Sequence, residues 1–313
     1  MAGIGVIYDV RQTTTCSYAS PVAHARHALR LMPVARDRQH VHVAVLTIAP
    51  EPQHRREGQD FFGNRLTWIE IEAPHEMLTV KLAARVAVNP PPYPTSLAGG
   101  VAAPLATPAW EAVREQAFAS GAIDPLSPAH FLFPSRMVPL DPEIRNYVSA
   151  SFTPGRPILD AAIELMGRLR SDIVYQIGAT TVTTMPPRAF ALRRGVCQDF
   201  AHIMLSGLRG LGLPALYVSG YLRSTPPTDA TRLQGAQAMH AWVMLWCGPQ
   251  LSLSEMQGWG WIGLDPTNAM LAGEEHVTLA IGRDYTDVAP VAGVLLGSGG
   301  QRMAVAVNVT ALP

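Results

Sequence analysis

The first ninety residues of the chain have hydrophobic positions in short runs with the two-residue period of β-strands. These runs are rich in valine, isoleucine and threonine, are bounded by turn residues, and cover segments 3–14, 41–48, 66–71 and 78–88. This composition and period are typical of antiparallel strands with one face on a core. We therefore expect a β-sandwich-like domain over residues 1–90, in which the charged stretch 55–58 forms a turn.

Prolines interrupt this pattern directly afterwards, at positions 90, 91, 92 and 94. Because proline has no backbone N–H, this stretch cannot continue a strand ladder. Hydrophobic residues at helical spacing follow in segments 109–120, 142–152 and 157–171. The pattern predicts a linker and helical segment over residues 91–155.

The region 156–290 combines helical and strand-like patterns. Beyond the helix at 157–171 we expect a short helix or turn at 187–192, a helix at 197–211, and strands at 215–222, 240–247 and 259–265. An alternating segment at 303–310 predicts a last strand, so the part 291–313 is expected to return to the N-terminal sheet. The fold class predicted by this order is α+β.

Composition narrows the possible functions of the chain. Its 313 residues include 24 Lys and Arg against 24 Asp and Glu, so the net charge of zero argues against nucleic acid or an anionic membrane as partner. No stretch reaches the roughly 18 apolar residues of a membrane helix, and the start lacks a basic leader. Three cysteines do not make a disulfide framework. We expect a cytoplasmic protein.

Cys197 is the first candidate for chemistry. It lies in the first turn of a predicted helix, after Gly195 and the basic pair Arg193 and Arg194. Helix N-termini and nearby positive charge favour an anion, here the nucleophilic thiolate. The alternative is a buried structural cysteine, since cysteine is among the most buried residue types.

His240 and Asp265 extend this hypothesis. His240 begins a predicted strand, and Asp265 ends the next one before an Asp-Pro turn. An adjacent antiparallel strand can bring the carboxylate to the far ring nitrogen of a histidine that takes the proton of Cys197. Taken singly, His240 can be an ordinary surface histidine and Asp265 an ordinary turn residue. All three residues lie at the ends of predicted helices or strands, which can converge in the fold. The combination is therefore a more specific sign of a catalytic site than any one of the residues.

Five further residues are candidates for lining the cleft. Asp199 and His202 share one helix face, although a local hydrogen-bonded pair is the favoured interpretation. Gln198 follows the nucleophile, the hydroxyl group of Tyr221 has a possible role at a substrate, and Trp242 either walls a groove or packs in the core. The spacing of cysteine and histidine residues matches no metal motif, so we expect no metal and no cofactor.

Several segments together resemble bacterial transglutaminase-like proteins. They are RGVCQDFAH at 194–202, the stretch 213–222, HAW at 240–242, GLDPTN at 263–268 and GRDYTDVAP at 282–290, and the likeness extends to 18–33 and 62–64. The resemblance implies a papain-like cysteine-protease fold with a Cys-His-Asp triad, which corresponds to Cys197, His240 and Asp265. The segment 248–258 looks longer than is usual in this family.

The activity implied by this resemblance is acyl transfer through a thioester, with hydrolysis of a peptide or amide bond as the favoured reaction. The expected partners are a peptide or protein substrate or a small amide. Two alternatives stay open: crosslinking of glutamine to lysine, with an amine in place of water, and a non-catalytic peptide-binding scaffold.

Overall fold

A computed structural model describes residues 5–36, 38–97, 105–223, 239–249, 260–297 and 299–313. Most of the segment 248–258 and the glycines of the linker, Gly99 and Gly100, lie outside these residues. Within them, no helix combines the length and the apolar character that crossing a membrane requires.

The chain begins with six strands, and the helices follow from residue 110 onwards. The strands are β1 Val6–Val22, β2 His24–Leu29, β3 Gln39–Ala49, β4 His54–Gln59, β5 Arg65–Ile71, β6 His75–Val88, β7 Val174–Tyr175, β8 Arg194–Gly195, β9 Ala215–Leu222, β10 Met239–Trp246, β11 Trp261–Asp265, β12 Met270–Leu271, β13 His276–Gly282, β14 Val291–Leu296 and β15 Gln301–Ala311. The helices are α1 Trp110–Phe118, α2 Pro142–Ser149, α3 Ile158–Asp172, α4 Pro186–Leu192, α5 Cys197–Gly210 and α6 Tyr285–Val288, with a short 3-10 helix at Pro128–Phe131.

The N-terminal region is built from two four-stranded antiparallel sheets, in the orders β15-β1-β6-β3 and β14-β2-β5-β4. Their inner faces share one apolar cluster, to which Tyr8 and Leu78 contribute from the first sheet and Leu29 and Ile71 from the second. The chain returns to this region twice at its C-terminal end, because β14 pairs with β2 and β15 pairs with β1. The sequence pattern had indicated only the second of these strands.

The turn predicted at 55–58 is wrong, since these residues lie within β4. All six residues of this strand are exposed, and its backbone pairs with β5 from His54 opposite Glu70 to Gln59 opposite Arg65. An exposed edge strand needs no apolar residues, so its sequence carries no hydrophobic period. The strand β2 was not expected either.

The central part of the chain packs helices on a five-stranded sheet of order β12-β11-β10-β9-β13. The helix α5 is buried from Gln198 to Arg209 and packs on β9 and β10. The side chain of Arg209 is fully buried and donates two hydrogen bonds to the carbonyl of Ala215, which ties the end of α5 to the start of β9. The helix runs beneath the sheet, and its N-terminus points to the place where β10 begins.

Two carboxamide side chains of the N-terminal region bind the outer edge of β13. The Asn64 side chain donates to the carbonyl of Ile281 over 2.7 Å and accepts from its N–H over 2.8 Å. Gln39 makes the same pair of bonds with Thr278, each over 2.7 Å. A carboxamide offers one donor and one acceptor, as a neighbouring strand does. The N-terminal region thereby completes the edge of the central sheet.

Candidate active site

The segment before α5 presents Cys197 at the surface of the helix N-terminus. Asp199, in the first turn, accepts a hydrogen bond from the backbone N–H of Val196 over 2.8 Å and another from the hydroxyl of Thr180 over 2.6 Å. A Cβ at Gly195 would lie within 2.5–2.8 Å of the Asp199 side chain, so this close approach requires glycine. Cys197 is partly exposed, whereas Cys16 and Cys247 are buried, and none of the three forms a disulfide.

His240, near the start of β10, joins Cys197 to Asp265. Its Nε2 donates to Asp265 Oδ2 over 2.8 Å, and the ring also shares a hydrogen bond with Cys197, for which Nδ1 remains. Burial is the strongest influence on the His240 pKa and lowers it. The hydrogen bonds and charges of Asp265 and Cys197 together outweigh burial and raise the pKa to about 10. The arrangement therefore favours transfer of a proton to His240, and the thiol of Cys197 can supply that proton.

Asp265, the last residue of β11, is fully buried and accepts five hydrogen bonds. Its Oδ1 accepts from the backbone N–H groups of Thr267 and Asn268, and its Oδ2 from Asn268 Nδ2, His240 Nε2 and His276 Nε2. Burial alone would raise the pKa of this carboxyl group, but the bonds from the two histidines hold it far below its usual range. The group is therefore a fixed carboxylate.

His276, the first residue of β13, is not among the site residues predicted from the sequence. Its Nε2 lies 3.2 Å from Asp265 Oδ2, and its Nδ1 accepts from the N–H of Gly273 over 3.2 Å. The available signal was a second histidine at the start of an apolar strand, the position that His240 holds in β10. The run of apolar residues after His276 has no clear alternation and ends in the segment resembling the family, so it did not stand out as a strand.

The other cleft candidates take different places. Trp242 is almost fully buried, and its ring contacts those of His240 and His276, with centroids 6.3 and 5.1 Å apart. It also lines a cavity of about 360 Å³ between the central sheet and the N-terminal region. Gln198 donates from Nε2 to the carbonyl of Val182 over 3.0 Å, which holds the preceding loop against α5.

The favoured pairing of Asp199 with His202 is wrong. Asp199 bonds to the loop before α5, as described, while His202 Nε2 accepts from the backbone N–H of Tyr285 over 3.2 Å. Burial and, to a lesser extent, the charge of Arg209 lower the His202 pKa to about 3, although the charge of Asp284 acts in the opposite direction. The two side chains fasten α5 to two different segments of the chain.

The suggestion that Tyr221 reaches a substrate is also wrong. Its side chain is fully buried in the apolar cluster of the N-terminal region, and its hydroxyl donates to Gln12 Oε1 over 2.6 Å. The reason is that β9 continues beyond the site, so its last residues pack on the N-terminal sheets and not on the cleft.

Among the residues that the structure describes, two groups of side chains have donor atoms close enough together for a cation. The first is His240, Asp265 and His276, and the second is the surface group His24, Glu70 and Glu72. In the first group, Nε2 of His240 and Nε2 of His276 each lie at hydrogen-bond distance from Asp265 Oδ2. These hydrogen bonds satisfy the three side chains without a cation. In the second, His24 and Glu70 form an ion pair.

Comparison with known proteins places these features in a family. Residues 8–87 match the bacterial transglutaminase-like N-terminal region, and residues 146–266 match the transglutaminase-like superfamily. An uncharacterised protein of Mycobacterium tuberculosis is 34% identical over 288 residues, which cover 92% of this chain and 84% of that protein. One from Mycobacterium leprae is 30% identical over 304 residues, covering 97% and 98% of the two chains.

A crystal structure shows the same fold. The protein, from Cytophaga hutchinsonii and named as a candidate cysteine protease, superposes with a TM-score of 0.73 at 19% identity, covering 100% of this chain and 93% of that one. The predicted α+β, papain-like fold with an N-terminal antiparallel region is confirmed. The chain belongs to the transglutaminase-like superfamily and carries the bacterial transglutaminase-like N-terminal region.

Proposed function

We propose that this protein is a thiol-dependent acyl-transfer enzyme that hydrolyses a peptide or amide bond, with Cys197 as nucleophile, His240 as base and acid, and Asp265 as the group that orients His240. The observation that carries the proposal is the position of His240, hydrogen-bonded to Cys197 on one side and to a buried carboxylate on the other. Membership of the transglutaminase-like superfamily supports this chemistry at the level of a thiol-dependent hydrolase or transferase.

The proposed reaction has two halves. His240 Nδ1 takes the proton of Cys197, and the thiolate attacks the carbonyl carbon of the amide. The C–N bond then breaks, the proton passes from His240 to the leaving amine, and a thioester remains. Water, deprotonated by His240, attacks the thioester, which releases the acid and returns the proton to the thiol. The backbone N–H of Cys197, at the start of α5, is the proposed donor to the developing oxyanion.

Asp265 supports both halves without exchanging a proton. Because its Oδ2 accepts from Nε2 of His240, the ring is fixed with Nδ1 towards the thiol. The proposed substrates are peptides, proteins or small amides. Cys197 is partly exposed and therefore within reach of such groups.

The three cysteines provide the first test. On treatment with iodoacetamide at mildly acidic pH, Cys197 should be alkylated much faster than Cys16 and Cys247, as read by mass spectrometry. Burial raises the pKa of the Cys16 and Cys247 thiols, so these two residues serve as internal controls for slow alkylation. Equal and slow labelling of all three would argue for a non-catalytic scaffold.

Turnover provides the second test. Activity against a library of peptides and amides, measured with and without a primary amine, should be lost at least about 10³-fold in Cys197→Ala. The matched control is Cys16→Ala, which removes a buried thiol from the N-terminal sheet and should leave activity unchanged. Equal activity of the two variants would refute the proposal. An amine adduct formed by the wild type would show that the acyl group passes to an amine and not to water, which would contradict hydrolysis as the reaction.

A further inference from the structure

We infer that His276 is a positioning residue of this site, which acts through Asp265 by holding its carboxylate in the plane that orients His240. This inference rests on the proposed function and assigns to the strand β13 a part in the reaction. The side chain of His276 hydrogen-bonds to Asp265, and the proposed contribution of His276 to the reaction passes through this carboxylate.

The hydrogen bonds fix the protonation of His276. The N–H of Gly273 points at Nδ1, so this nitrogen must present its lone pair, and the ring proton lies on Nε2, directed at Asp265. Burial is the main influence on the pKa of His276 and lowers it. His276 is therefore a neutral donor with both nitrogens in use.

A neutral donor has a specific advantage at this position. It restrains the carboxylate without supplying a positive charge, so the negative charge of Asp265 stays available to the imidazolium of His240. An arginine or lysine in the same place would form an ion pair with Asp265 and compete with His240. The titratable groups facing His276 are Asp265 and His240, together with its chain neighbour Glu275.

The surroundings hold His276 rigidly. Its side chain is buried, the edge of the Trp242 ring packs against it, and its backbone pairs with Leu222 of β9. Two residues further along β13, Gln39 of the N-terminal region binds both backbone groups of Thr278. The N-terminal region therefore fixes the strand that carries the second donor to Asp265.

The inference can be tested by the pH dependence of Cys197 alkylation in the full chain, with iodoacetamide as probe. In His276→Gln the amide reaches as far as Nε2 and can donate to Asp265. In His276→Asn the amide is too short to do so. We expect His276→Gln to follow the wild type. In His276→Asn the pH at which Cys197 alkylation reaches half its maximal rate should rise by at least about half a pH unit. The reason is that a less firmly held imidazolium of His240 stabilises the thiolate less.

Val277→Ala is the matched control, since it removes a buried side chain from the same strand without touching Asp265. Its midpoint should equal that of the wild type, while urea unfolding reports its loss of stability. If His276→Asn does not fold, His276→Phe, an apolar ring without a donor, takes its place and should show the same rise. A midpoint unchanged in the variant without the donor, or raised equally in Val277→Ala, would overturn the inference.

The result is separable from the proposed function. Selective labelling of Cys197 in the wild type tests the nucleophile, and only the difference between the Gln and Asn variants tests His276. If Cys197 is labelled selectively in the wild type but the pH profiles of the Gln and Asn variants superimpose, His276 has no positioning role. The proposed triad is unaffected by that outcome.

Discussion

Two carboxylates in this molecule lie in similar turns and have different partners. Asp60, between β4 and β5, accepts the backbone N–H groups of Phe62 and Asn64 at Oδ1, and Asn64 Nδ2 and Arg30 Nε at Oδ2. Asp265, after β11, likewise accepts two backbone N–H groups at one oxygen and an asparagine amide at the other. In both turns the asparagine folds back on the carboxylate that precedes it.

The remaining partner separates the two sites. Asp60 is paired with Arg30, whose guanidinium keeps its charge throughout the physiological range. Asp265 is paired with His240 and His276, and an imidazole, unlike a guanidinium, can act as a proton acceptor as well as a proton donor. The same kind of turn thus holds an ion pair at Asp60. At Asp265 it holds the histidine that transfers protons in the proposed mechanism. The local sequence around a carboxylate does not distinguish these uses, but its distant partner does.

The largest expected effect comes from neutralising each carboxylate. We expect Asp265→Asn to lower kcat/KM on the order of 10³- to 10⁴-fold, because the charge and orientation that His240 needs are lost. Asp60→Asn should leave kcat/KM within about threefold while lowering the free energy of unfolding by about 1–3 kcal/mol. Steady-state kinetics and urea unfolding of both variants check this contrast, and comparable losses of kcat/KM would abolish it.

A smaller effect is expected from the two asparagines. In Asn64→Leu both backbone groups of the buried Ile281 lose their partners, so we expect the free energy of unfolding to fall by about 2–4 kcal/mol. Asn268 is exposed, so Asn268→Leu should cost less than about 1 kcal/mol. It should instead slow Cys197 alkylation several-fold. Urea unfolding and the alkylation assay test both halves, and a stability loss confined to Asn268→Leu would contradict the distinction.

The smallest effect concerns a buried histidine that has no carboxylate. Neither ring nitrogen of His27 has a hydrogen-bond partner among the described residues, and burial, aided by His75, lowers its pKa. The unfolded chain therefore binds the proton more readily than the folded one, and the wild type loses stability as the pH falls below about 6.5. His27→Leu removes this loss. We expect stability within about 1 kcal/mol of wild type at pH 7 and a relative gain at pH 5, measured by urea unfolding.

The sign is opposite at His240. Its folded pKa, raised to about 10, lies above the unfolded value of about 6.5, so its protonation stabilises the fold below pH 6.5. This contribution is lost between about pH 6.5 and 10. A stability profile of His27→Leu that parallels the wild type from pH 5 to 7 would show that burial of His27 has no such energetic consequence.

The residues proposed for catalysis were accessible to sequence reasoning because each lies at the end of a regular element. The helix after Gly195, the strand that begins near His240 and the strand that ends at Asp265 each show a clear hydrophobic period. Because these elements pack together, their ends can lie close to one another. His276 was missed since β13 is buried on both faces and its apolar run shows no alternation.

Other errors came from contacts between distant segments. The strand β4 forms because β5 offers its edge, and its own residues are exposed and polar. Tyr221 turned out to pack on the N-terminal region because β9 extends past the site, which depends on where the two regions meet. Gln39 and Asn64 bind β13 across 239 and 217 residues of sequence, a separation at which no local pattern gives a signal.

The pairing of β1 with β15 sets an order on the formation of the fold. Tyr8 lies opposite Ala311 and Tyr18 opposite Gln301, so β1 must wait for β15, which is synthesised much later, before this pairing can form. Contacts at such separation slow folding, and an unpaired strand edge invites association with other chains. Until β15 has been made, β1 has one free edge, and a chain stopped before β15 should therefore be aggregation-prone even when all the proposed catalytic residues have been made.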